Sequence, residues 1–129
     1  MPTITAAWTE NQTDVDFDDT SPADTVSSTA SIDLAAAGYD KVIAQIIFTW
    51  DGSATDYINI HLFYDVNSGS NPSDIADYSM RIDADAGVTQ EVNLTIEDVP
   101  YVDIVFENQS NQEITALDLI YAGRKWSSA

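Results

Sequence analysis

His61 is the only imidazole in the chain, and a lone histidine performs catalysis only where a nucleophile and an acid converge on it. No G-x-S-x-G turn or comparable nucleophile elbow is present. His61 falls inside the run YINIHLFY, Tyr57 to Tyr64, rather than at a loop tip, so it is assigned a structural or surface role. The chain has no cysteine, which removes thiolate nucleophiles, disulfide frameworks and Cys-based zinc sites together. Carboxylates are so abundant that a pair at glycosidase spacing arises by chance and carries no information about that chemistry. The chain is therefore read as non-enzymatic, with no catalytic residue.

Two segments place oxygen ligands at cation-binding spacing. Asp65-Val66-Asn67-Ser68-Gly69 and Asp83-Ala84-Asp85-Ala86-Gly87 both read D-x-[DN]-x-G, so Asp65, Asn67, Asp83 and Asp85 are the calcium candidates. The bidentate Glu that closes an EF-hand loop is missing from both, where Ala76 and Leu94 stand instead. Asp, Asn and Gly in turns account for both segments without a metal. Calcium is the one cofactor candidate, and the expectation is that none is needed.

Recognition chemistry is more visible. Trp8, Trp50 and Trp126, with six Tyr, could stack on sugar faces as in a carbohydrate-binding module, although Trp50 and most of the Tyr fall in strand-like runs where packing alone favours them. Gly123-Arg124-Lys125-Trp126 sets two of the four basic residues beside an indole, and Arg and Trp are common interface anchors. Near the other end, Ile4, Trp8, Val15 and Phe17 are the large apolar residues of an acidic stretch with no evident core to join. Ile4, Trp8, Val15, Phe17, Arg124, Lys125 and Trp126 are thus the expected partner contacts.

The elements that must position these residues are strands. TVSSTASIDL from Thr25 sets Val26, Ala30, Ile32 and Leu34 on one face, which is period two. AAAGYD, Ala35 to Asp40, then turns the chain. KVIAQIIFTW, Lys41 to Trp50, is apolar on both faces, as expected of a strand covered on both sides. Asp51-Gly52-Ser53 supplies turn chemistry before the alternating Tyr57 to Tyr64, so these two runs are expected to form a hairpin. Asp65 to Asp74 is a long polar connection. Further runs follow at DYSMRID (Asp77 to Asp83), Val88 to Ile96, Tyr101 to Glu107 and Ile114 to Tyr121. Seven such runs with turns between them, and an eighth available at Ile4 to Trp8, predict an all-β antiparallel sandwich of jelly-roll type with very little helix. Residues 1–24 read as an extended arm or linker, and 25–129 as a single domain.

Twenty-two Asp and Glu against four Lys and Arg give a net charge of −18. Nucleic-acid affinity comes from basic residues displacing counterions, so a nucleic-acid partner is excluded. No apolar run reaches the roughly 18 residues that a membrane-spanning helix needs, and residues 1–20 show no leader pattern. The expectation is a soluble protein folded in a reducing cytoplasm.

As a whole the chain resembles the small β-sandwich proteins that decorate or cement tailed-bacteriophage capsids. The resemblance lies in TVSSTASIDL leading to the turn before VIAQIIF, in the close YVDIVFENQSNQEITALDLIYAG, and in the absence of cysteine, over residues 25–123. It implies a virion structural protein assembled in the bacterial host cytoplasm and placed on the capsid surface. It also implies attachment to the major capsid protein or another virion protein, as a homo-oligomer with a trimer favoured. The alternative is a carbohydrate-binding β-sandwich, free or on a tail fibre.

Overall fold

Period-two alternation leaves one apolar face per strand, and two sheets stacked on those faces bury them. In the computed structural model, which describes residues 4–9, 12–13, 17–18, 20–66 and 75–128, the strands are β1 (Ile4–Trp8), β2 (Gln12–Thr13), β3 (Thr25–Asp33), β4 (Tyr39–Thr49), β5 (Tyr57–Asp65), β6 (Tyr78–Asp83), β7 (Thr89–Glu97), β8 (Tyr101–Asn108) and β9 (Thr115–Ser128). One sheet runs β1-β9-β4-β7, with β2 continuing beside β9, and the other runs β3-β8-β5-β6. The named pairings are antiparallel. Most consecutive strands fall in different sheets, and this interleaving is the jelly roll. Helix is confined, among the described residues, to the single turn α1 (Leu34–Ala37), capped by Asp33 and ended by Gly38 at φ 77°. No described helix is long and apolar enough to cross a membrane.

The core follows the alternation. Val42, Ala44, Ile46 and Phe48 of β4 meet Ile58, Ile60, Val102, Ile104 and Phe106 of the facing sheet, all with no exposed surface. Phe48 packs edge-to-face on Phe106 with ring centroids 5.3 Å apart and on Trp50 at 5.4 Å. Trp50, itself buried, donates its indole N–H to Gln90 at 2.8 Å.

Three expectations are corrected here. The runs on either side of Asp51 do not form a hairpin: β4 pairs with β7 and β9, whereas β5 pairs with β6 and β8. Trp50 and Ala54 are buried, so the intervening turn, in which Ser53 N–H donates to Asp51 Oδ1 at 2.8 Å, carries the chain over the core from one sheet to the other. Secondly, β4 is covered on one side only, and its outward residue Ile43 stays 40% exposed. Thirdly, the described residues before Thr25 do not stand off as an arm. There β1 and β2 pair with β9, and Ser21 exchanges backbone hydrogen bonds with Ile114 at 2.8 and 2.9 Å. Asn108, fully buried, ties that segment down by donating to the carbonyls of Ser21 and Gln112, both at 2.9 Å. A short polar segment with few apolar residues becomes strand because the long β9 offers it an open edge; the pairing, rather than its own pattern, supplies the order.

Candidate functional site

Residues directly opposite in an antiparallel pair share a face of the sheet, and register therefore assembles a row across four strands. Trp8 lies opposite Arg124, Arg124 opposite Lys41, and Lys41 opposite Glu97. The row is on the outward face, since the neighbouring β4 position Val42 is buried. Between Tyr39 and Lys41 the β4–β9 register shifts, and the extra residue is Asp40. A bulge re-aims a side chain; this one directs the Asp40 carboxylate at Arg124, which donates from Nη2 at 2.6 Å and Nε at 3.1 Å. The two hydrogen bonds from Arg124, and then the Trp126 indole, hold the Asp40 carboxyl at about 2, and Asp40 in turn raises the Arg124 pKa.

Two indoles flank the guanidinium. Arg124 Cζ lies 5.8 Å from the Trp8 ring and 5.6 Å from the Trp126 ring, within cation–π range. The rings remain 47% and 55% exposed. On the other face of β9, Lys125 Nζ sits 5.4 Å from the Tyr39 ring, and that ring lies across Gly123, where a Cβ would fall 2.5 Å from its atoms. Lys41 and Glu97 form an ion pair at 3.7 Å. Three of the four Lys and Arg of the chain, Lys41, Arg124 and Lys125, thus gather at one corner of an otherwise acidic molecule. From this corner the exposed Ile43 and the half-buried Ile47 and Ile120 run along the same outward face.

The structure therefore brings together Trp8, Arg124 and Trp126, with Lys125 beside them on the reverse face. Ile4 pairs with Ser128 at the end of the same two strands. Phe17 is corrected: it is 6% exposed and packs on Phe106 at 6.3 Å, so it belongs to the core. Val15 lies outside the described residues. Sequence reasoning missed Asp40, Lys41 and Glu97, which reach the site only through cross-strand register; no local motif marks them.

The calcium candidates do not form one site. Asp83 accepts from Arg81 Nε at 2.9 Å, Asp85 is exposed, Asp65 accepts from the N–H of Val66, and Asn67 lies outside the described residues. Among the described residues no three His, Asp or Glu side chains converge as a metal site would require.

His61 has closer company than the sequence suggested. Its Nδ1 is 2.7 Å from Ser79 Oγ, and its Nε2 is 3.4 Å from Glu107. Glu107 also accepts from Asn59 at 2.9 Å, and Asn59 first, with His61 assisting, lowers its pKa. The cluster lies flat on a sheet whose interior strands β5 and β8 commit their N–H groups to ladders on both sides. Its hydrogen bonds form a polar ladder across β6, β5 and β8.

No family model and no curated protein matches the chain. Among solved structures it is similar to a carbohydrate-binding module (CBM4), at TM-score 0.46 and 15% identity, covering 83% of this chain and 64% of the other. It is similar to a subunit of the disulfide-linked pili that form Bacillus endospore appendages, at TM-score 0.40 and 16% identity, covering 97% and 91%. A third is the VP2 protein of infectious bursal disease virus, at TM-score 0.41 and 12% identity, covering 94% and 32%.

Proposed function

We propose that this chain is a non-enzymatic attachment protein that docks through the outward face of the β1-β9-β4-β7 sheet, and specifically a capsid decoration or cement subunit of a phage virion. The observation that carries the reading is the apolar stripe Ile43, Ile47 and Ile120 ending in the Trp8–Arg124–Trp126 cluster. An exposed apolar strip rimmed by polar residues marks a contact surface, and Trp and Arg fixed in place lose little freedom on binding. Arg124 is pinned by Asp40 and flanked by both indoles, so the cluster is ordered before any partner arrives. Each indole is already engaged with the guanidinium, which suits protein docking better than an open platform for sugar. The remaining anionic surface keeps assembled particles apart.

Light scattering of the wild type beside Trp8→Ala/Trp126→Ala tests this. The wild type is expected to form a small closed oligomer, a trimer by preference, and the double variant to be monomeric with an unchanged far-UV spectrum. A wild type that remains monomeric up to about 1 mM, or a double variant of unchanged mass, overturns the reading.

A further inference from the structure

At the opposite edge of the same sheet a cleft opens between the edge strands β6 and β7. Its volume is about 160 Å³, and its floor is Leu62, Met80 and Leu94. Tyr64 and Tyr78 form its aromatic walls, and the β7 edge passes it at Asn93 and Thr95, whose side chains lie on the outward face opposite Gln45 and Ile43. No Asp, Glu, Lys or Arg lines it, on a chain of net charge −18.

The tyrosines are held in place and available. Tyr64 N–H donates to Asp77 Oδ2 at 2.8 Å, and Asp77 N–H donates to the Leu62 carbonyl at 2.9 Å. That pair of bonds fixes the segment carrying both rings, which are 38% and 47% exposed. Neither hydroxyl has a hydrogen-bond partner among the described residues. Burial first, and then the Asp77 charge, raises the Tyr64 pKa.

We infer that this cleft is a binding site for a neutral sugar ring, seated with its C–H face on Tyr64 or Tyr78 and its hydroxyls on the tyrosine donors. An anionic ligand finds no cation here and meets the repulsion of the whole molecule. A cationic ligand finds no carboxylate in the lining. A wholly apolar ligand would make no use of the two tyrosine hydroxyls. A neutral polyol with one apolar face matches an aromatic wall and convergent polar groups together.

The test is titration of isotope-labelled protein with maltohexaose, cellohexaose and a galactose oligomer, each to about 10 mM, followed by NMR. At least one of these is expected to shift the resonances of Leu62, Tyr64, Tyr78 and residues 93–95. Tyr64→Ala and Tyr78→Ala should each weaken binding ~10-fold, and Tyr64→Phe, which keeps the ring, should show a smaller loss. Trp8→Ala/Trp126→Ala should bind sugar as the wild type does, which separates this site from the docking face. Silence towards all three sugars, perturbation centred on Trp8 and Trp126, or a response only to an anionic polysaccharide such as heparin would overturn the inference.

Discussion

Asp40 is the residue on which the docking cluster turns. It enters the outward face through a one-residue bulge and there converts Arg124 from a mobile cation into a fixed donor held by two hydrogen bonds. Because its folded-state pKa is depressed to about 2, its stabilising contribution is complete above the ordinary aspartate value, near about 4, and disappears as the pH falls through the folded value. Asp40→Asn should therefore melt below the wild type between about pH 5 and pH 7, with the gap closing as the pH approaches 2. Melting curves followed by circular dichroism across that range check this; a gap that stays constant with pH would show that the carboxylate charge is not what stabilises the site. Of the cluster, Trp8, Arg124 and Trp126 were legible in the sequence because residue type alone marks an anchor. Asp40, Lys41 and Glu97 were not, since each lies far along the chain from Arg124 and a bulge has no signature in a single strand's alternation. Phe17 was misjudged for the same reason: its partner Phe106 is distant in sequence.

At the scale of elements, β9 is the organiser: β1, β2 and β4 all pair with it. Its long run past Tyr121 requires a close approach at Gly123, over which the Tyr39 ring lies. A methyl group there would meet ring atoms at 2.5 Å, and the ring cannot move without leaving its contact with the core edge. Gly123→Ala should cost about 1–3 kcal/mol, the usual range for overpacking. In a Tyr39→Ala background the same change should cost far less, because the clash has been removed. Urea unfolding of the four proteins of that cycle decides it, and additive losses would mean that the glycine serves something other than Tyr39. The seven principal strands were readable because alternation registers burial directly. Their partners were not: a turn such as Asp51-Gly52-Ser53 looks alike whether it closes a hairpin or crosses between sheets. The last strand was read as ending at Tyr121 because a basic tail beyond it has no apolar pattern of its own; β1 supplies the order by pairing with it.

For the molecule as a whole, the arrangement separates charge from contact. Three of the four basic residues sit together on β4 and β9 of one sheet, the neutral cleft lies at that sheet's β7 edge, and, of the 22 acids, most of the described ones occupy turns and outward strand positions. Seventeen of those acids are Asp, and the fold uses that choice, since Asp24, Asp56 and Asp98 adopt positive φ at 55°, 71° and 62°, a conformation that Asp tolerates better than most side chains. The cost is self-repulsion in a single small domain with few internal cations to offset it. Screening should relieve it, because the Debye length falls from about 30 Å at 0.01 M salt to about 10 Å at 0.1 M. Sodium chloride should thus raise the melting temperature by about 5 °C or more, with most of the gain complete by about 0.5 M, where screening is already shorter than the molecule. That saturation separates screening from general salting-out, which keeps rising with concentration. A melting temperature that is flat or falls over the same range would mean that the unfolded chain repels itself as strongly as the folded one, leaving the acidic surface without a stability cost.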